Sequence, residues 1–304
     1  MRRFIITNFI SKIISTGNSC IMDTVDFLEY LADDPDTGII ALYLEGIRDG
    51  SRLTSLIREI NLTKPVIVWK GGLTGAGARA AASHTGSLAG EQEIWEAFYK
   101  QTGAVQVFSL DELADVIMTF LYLTPPQGRR VAIFIGSGGH SVTAADFCAR
   151  EGLEVPPLSP ETKEKLREFV PVAGTSIENP LDTEMILHNA GLFGRGLEAV
   201  IADTGIDILI IDQSLDLLIQ GGVENVREVG RLMCRFSMDD SNHKSMVAVL
   251  ESWGGNPAVG TERGRLQREL SKNGIVVFRS LPRAYRAVSR FTHYHEFLRR
   301  EKGC

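Results

Sequence analysis

The sequence predicts an α/β protein built of two doubly wound domains with mainly parallel sheets. Three observations predict it. Short, wholly apolar runs recur along the chain, helical patterns separate them, and one proline- and glycine-bearing break divides the whole. Apolar runs that do not alternate with polar residues suit strands buried on both faces, as parallel strands are. Regular alternation of such strands with helices means α/β. A length of 304 residues fits two domains.

The strand candidates are the runs at 39–44, 65–69, 131–135, 208–211, 246–250 and 275–278. Helical patterns lie at 24–31, at 110–123 with Asp111 and Glu112 in its first turn, at 144–150 and at 190–204. Acidic residues in a first turn complement the helix dipole. Thr124-Pro125-Pro126-Gln127-Gly128 ends one helix before a fresh strand. The boundary is therefore expected there, giving domains 1–125 and 126–304.

Composition excludes several classes. Hydrophobic residues make up 44% and charged residues 23% of the chain, so a sizeable core is expected. A formal net charge of -6, with no basic run, argues against a nucleic-acid partner. Cys20, Cys148, Cys234 and Cys304 form no CxxC pair, so neither a zinc site nor a disulfide framework is expected. The N-terminus, MRRFIITNFISKII, imitates a secretory leader, but Thr7, Asn8, Ser11 and Lys12 interrupt it. The expectation is a cytoplasmic chain with no membrane span.

The stretch from Lys70-Gly71-Gly72 to Ser83-His84-Thr85-Gly86-Ser87-Leu88-Ala89-Gly90 is the most informative. It reads as a Gly/Ala-rich loop after a strand, with a helix beginning near Gly90 or Glu91. Loops after parallel strands lie on the ligand-binding edge of a doubly wound sheet. Small neighbours leave room for a large group on the His84 imidazole, and hydroxyl and amide groups of Ser83, Thr85 and Gly86 can hold an anion. Glu45 ends the run LYLE at the tip of another strand. It is either a carboxylate that orients the imidazole, freeing Nε2 as nucleophile, or a solvated residue at a strand–loop junction.

Gly136-Ser137-Gly138-Gly139-His140 follows the strand VAIFI, with a helix expected from about Ser141. Strand, glycine turn and helix form either an anion cradle or a tight turn with no ligand. His140 can contact a phosphate there, though a surface histidine is the safer expectation. Asn179-Pro180-Leu181-Asp182 reads as an extended loop in which Asn179 is structural and Asp182 caps the following helix. His293 and His295 suit a surface better than a metal site.

Together YLEG, KPVIVWKGG, AAASHTGSLAG and EIWEAFYKQTGAVQV resemble the ADP-forming (NDP-forming) acyl-CoA synthetases, of the succinyl-CoA synthetase superfamily. VAIFIGSGGHSVTAADFCAREGLEV, ENPLD and GIVVFRSLPRAYRAV resemble the domain that follows in that family. The resemblance implies two flavodoxin-like domains, and it begins mid-domain near Ser11, so the first domain is expected to be N-terminally truncated. It implies a reversible reaction, acyl-CoA, ADP and phosphate giving acid, CoA and ATP, carried through a phosphohistidine. By motif that histidine is His84, supported by Glu45, with Ser83, Thr85, Gly86, Gly138 and Gly139 about the phosphate.

CoA, and ATP or ADP with magnesium, are then substrates bound mainly by a CoA-binding domain and an ATP-grasp subunit acting in trans; a small carboxylic acid or acyl phosphate is the remaining substrate. No tightly bound cofactor and no metal site are expected, and an oligomer is. Two rival readings are an inactive remnant or interaction module of the same fold, and a flavin or nucleotide binder, for which no aromatic-lined site is visible.

Overall fold

In the first part of the chain, three parallel strands lie in the order β1-β2-β3, with β1 at Ile40–Leu44, β2 at Val66–Lys70 and β3 at Val105–Val107. The computed structural model describes residues 9–17, 21–85, 92–136, 138–171, 175–182, 187–239, 242–254 and 256–303. Asp23 starts helix α1 (Thr24–Asp33) with a capping box that it shares with Asp26. Helix α2 (Gly50–Ile60), capped by Asp49, buries Leu53, Ile57 and Ile60, a spacing that puts all three on one face. They meet Val66 and Val68 of β2 and Trp95 and Phe98 of α4 (Gln92–Thr102) in one apolar core.

Two elements here differ from expectation. The Gly/Ala-rich segment read as a loop winds into helix α3 (Gly75–Thr85). Alanines at 76, 78 and 80–82 carry strong helix propensity that the glycines do not cancel, and the Thr74 hydroxyl accepts from the Gly77 N–H at 3.1 Å to start it. Strand β3 escaped the sequence reading because it is short and has Gln106 at its centre. Helix α5 (Leu110–Tyr122) closes this part.

The second part holds β4 (Val131–Ile135), α6 (Gly138–Arg150), α7 (Pro160–Arg167), β5 (Leu181–Asp182), α8 (Ala190–Ile201), β6 (Ile208–Ser214), α9 (Val223–Ser237), β7 (Ser245–Glu251), α10 (Pro257–Lys272), β8 (Val276–Phe278) and α11 (Leu281–Lys302). The sheet order is β5-β4-β6-β7-β8, every neighbour parallel. This is the 2-1-3-4-5 order of flavodoxin-like folds, whose order reverses between β4 and β6. The reading of α/β domains with parallel sheets holds. β4 is buried throughout, as are β6 and β7 up to their last residues, as runs without alternation require.

Asn179 shows why the ENPLD segment is ordered. Its amide donates to Val131 O at 2.7 Å and Pro156 O at 2.8 Å, and its Oδ1 accepts from Ile133 N at 3.1 Å. The segment read as an extended loop ends in the edge strand β5. The residues after Asp182, where the helix it was expected to cap would start, lie outside the described residues.

The chain divides into two compact units, Met1–Phe120 with His293–Cys304, and Leu121–Thr292. The division expected near residue 125 carried the entire C-terminus into the second domain; the last part of α11 instead belongs to the first unit. Tyr294 Oη donates to the Asn61 carbonyl at 2.9 Å, and the Phe297 ring packs over Gly103. No helix among the described residues is long and apolar enough to cross a membrane.

Candidate functional site

Parallel strands bring their C-terminal tips to one edge, and the register pairs Leu44 with Lys70 there. Glu45, the next residue, is half-buried. Its Oε1 accepts a hydrogen bond of 3.1 Å from the Tyr43 hydroxyl, while its Oε2 is buried and has no hydrogen-bond partner among the described residues. A buried acceptor without a partner costs on the order of 1–3 kcal/mol, so this oxygen favours any donor brought to it. Tyr43 stands edge-on to Trp69, ring centroids 4.8 Å apart. A Cβ on Gly71 would come within 2.9 Å of the Tyr43 hydroxyl oxygen, so glycine there leaves tyrosine its reach to Glu45. Burial, then the bond to Glu45, raises the Tyr43 pKa, keeping it the donor.

Lys70 is a residue that sequence reasoning missed. It is 5% exposed, and its ammonium donates to the Glu45 carbonyl at 2.9 Å and to the Gly71 carbonyl, with the Trp95 ring centroid 5.6 Å away. Burial lowers its pKa against the nearby Glu45 charge. It ties the tip of β1 to the loop after β2. The signal was a charged residue closing an otherwise apolar run. Gly72, at φ +80°, then turns the chain toward α3.

His84 lies on the last turn of α3. The side chains of Ser83, His84 and Thr85, and Gly86 altogether, lie outside the described residues.

In the second unit Gly136 follows β4, while Gly138 and Gly139 are already the first residues of α6. The helix begins three residues before the expected Ser141, so both amides belong to its N-terminal turn, where N–H groups lack intrahelical acceptors. Ser137 lies outside the described residues. His140, expected on the surface, is half-exposed but faces Asp212: its Nδ1 is 3.5 Å from Asp212 Oδ2. Asp212 is 4% exposed and its Oδ1 has no hydrogen-bond partner among the described residues. Burial, with the nearby Glu251 charge, pushes its carboxyl up to about 8. Ligand atoms of His140, Asp212 and Glu251 all lie within 4.8 Å of one another. Asp212 follows the run ILII and Glu251 the run MVAVL. The signal that singled out Glu45, a carboxylate at a buried strand's tip, was present at both and passed over.

His295 also differs from expectation. Burial pushes its pKa down to about 4, and its ring lies 5.2 Å from Tyr294 and 6.3 Å from Phe120. His293 is exposed, as expected.

With strands, tips and acids in place, comparison with known proteins defines the class. Residues 8–120 match the succinyl-CoA ligase like flavodoxin domain. The chain is 34% identical over 297 residues to acetate–CoA ligase [ADP-forming] I of Archaeoglobus fulgidus, covering 96% of this chain and 39% of that protein. It is 41% identical over 201 residues to acetate–CoA ligase [ADP-forming] II subunit alpha of Pyrococcus furiosus, covering 66% of this chain and 43% of that protein. Among solved structures, a dinucleotide forming acetyl-coenzyme A synthetase 1 of Ca. Korarchaeum cryptofilum, in complex with phosphate and ADP, superposes with a TM-score of 0.74 at 28% identity. That match covers 94% of this chain and 59% of the other. The chain belongs to the ADP-forming acyl-CoA synthetase family. It spans 39% and 43% of the two curated relatives' lengths.

Proposed function

We propose that this chain is the phosphoryl-carrying part of an ADP-forming acyl-CoA synthetase, with His84 as carrier and Glu45 as the carboxylate that orients it. The observation that carries the reading is the Oε2 of Glu45, buried and without a partner among the described residues, at the sheet edge where the α3 segment begins. An imidazole N–H is the donor that such an oxygen lacks. Accepting from Nδ1–H fixes the tautomer and leaves the Nε2 lone pair for phosphorus. Tyr43 on the other oxygen holds the carboxylate in place, and Lys70 holds its backbone.

The chemistry follows in three balanced steps. Phosphate displaces CoA thiolate from the acyl carbon, giving an acyl phosphate. Nε2 attacks phosphorus and the carboxylate leaves. ADP then takes the phosphoryl group, giving ATP and freeing the imidazole. The phosphoimidazole carries close to two negative charges, which amide N–H groups at helix N-termini and nearby hydroxyls stabilise. Ser83, Thr85 and Gly86 are assigned that work beside His84, and the amides of Gly138 and Gly139, at the start of α6 in the second unit, are assigned to phosphate binding. CoA and the magnesium nucleotide are assigned to a CoA-binding domain and an ATP-grasp chain as partners. The acid is a small carboxylate; the relatives named above are acetate ligases.

Labelled ATP and magnesium, with an ATP-grasp partner of the family, test the reading. Wild-type protein is expected to acquire an acid-labile, base-stable label, and His84→Ala to acquire none. Glu45→Gln is expected to slow labelling by roughly 10–100-fold while remaining folded. Folded protein that takes no label with any partner would instead be an inactive relative or an interaction module.

A further inference from the structure

We propose that His140, Asp212 and Glu251 form a binding site for a divalent transition-metal cation in the second unit. Topology places the site first. His140 follows β4 and Asp212 lies near the end of β6, and β4 and β6 are the two strands between which the sheet order reverses. In open α/β sheets that switch point, at the C-terminal tips, is where the crevice opens. Glu251 ends β7, the next strand along.

The donor atoms are nearly in place. Three ligands about 2.1 Å from a tetrahedral ion stand roughly 3.4 Å apart. His140 Nδ1 and Asp212 Oδ2 are 3.5 Å apart, and all three donors fall within 4.8 Å of one another. A small swing of Glu251, whose Oε1 accepts a 3.3 Å bond from Leu281 N, closes the set.

An independent observation is the concentration of unsatisfied oxygen here. Asp212 Oδ1, Ser214 Oγ and Tyr285 Oη are all buried without a hydrogen-bond partner among the described residues. Asp212 is 4% exposed, and Ser214 is on the same face of β6, two residues on. Tyr285 is fully buried and lies within electrostatic reach of both Asp212 and Glu251. Buried polar atoms are normally partnered, so such a cluster favours a ligand that supplies charge and donors. A cation supplies the charge for Asp212 and Glu251, and its bound water offers donors to the hydroxyls. One imidazole nitrogen with two carboxylate oxygens suits zinc, manganese or iron(II) better than magnesium, which favours oxygen and retains its water. Three protein ligands leave a position open.

The test titrates zinc into metal-stripped protein against a chromophoric chelator. One equivalent is expected to bind, and both Asp212→Asn and His140→Gln are expected to weaken it at least tenfold, with circular dichroism unchanged. His140 is half-exposed, so its variant keeps the proposal testable should the Asp212 variant fold poorly. Absence of a saturable equivalent overturns the proposal, as does affinity unchanged in both variants, which would place the zinc elsewhere. The His84→Ala protein must bind zinc as wild type does, so this result stands apart from the phosphohistidine reading.

Discussion

Glu45 carries its two oxygens in opposite states, one satisfied by Tyr43 and one buried and open. That asymmetry supports the proposed orienting role over a solvated residue at a strand–loop junction. Tyr43→Phe removes a neutral donor worth about 1 kcal/mol. The expected outcome is roughly fivefold slower labelling of His84, a smaller loss than that of Glu45→Gln, read from single-turnover transfer. Lys70, Asp212 and Glu251 were legible in principle, since each closes an apolar run. Their partners were not, because contacts between strand tips depend on register and sheet order, which no single run contains.

At the scale of elements, apolar periodicity located β1, β2, β4, β6, β7 and β8. It missed β3 and β5, which are short and form where neighbouring strands and Asn179 hold them. Helix α3 was misread because glycine was weighed above alanine. Gly103 shows a converse case, in which tertiary structure dictates the residue. It ends α4 at φ +68°, and an added Cβ would run into the Phe297 ring. Left-handed backbone and overpacking both penalise Gly103→Ala. A loss of about 2–3 kcal/mol is expected, measured by urea unfolding.

At the scale of the molecule, the last part of α11 belongs to the first unit, far from it in sequence. His295 lies in this segment. Burial pushes its pKa from 6.5 down to about 4, so the unfolded chain binds the proton more readily. Its contribution to stability is present above the unfolded value and is lost as pH falls from about 6.5 toward 4. Unfolding midpoints of the wild type are expected to drop across that window, and those of His295→Phe to drop less. The sequence by itself determined the α/β class, the parallel sheets and the buried strand tips, because each is written in local composition and periodicity. Only the tertiary structure decided that the C-terminal segment joins the first unit, that Glu45 holds an open oxygen, and that His140, Asp212 and Glu251 converge. Those facts rest on strand order and long-range packing, which bring together side chains that sequence spacing leaves far apart.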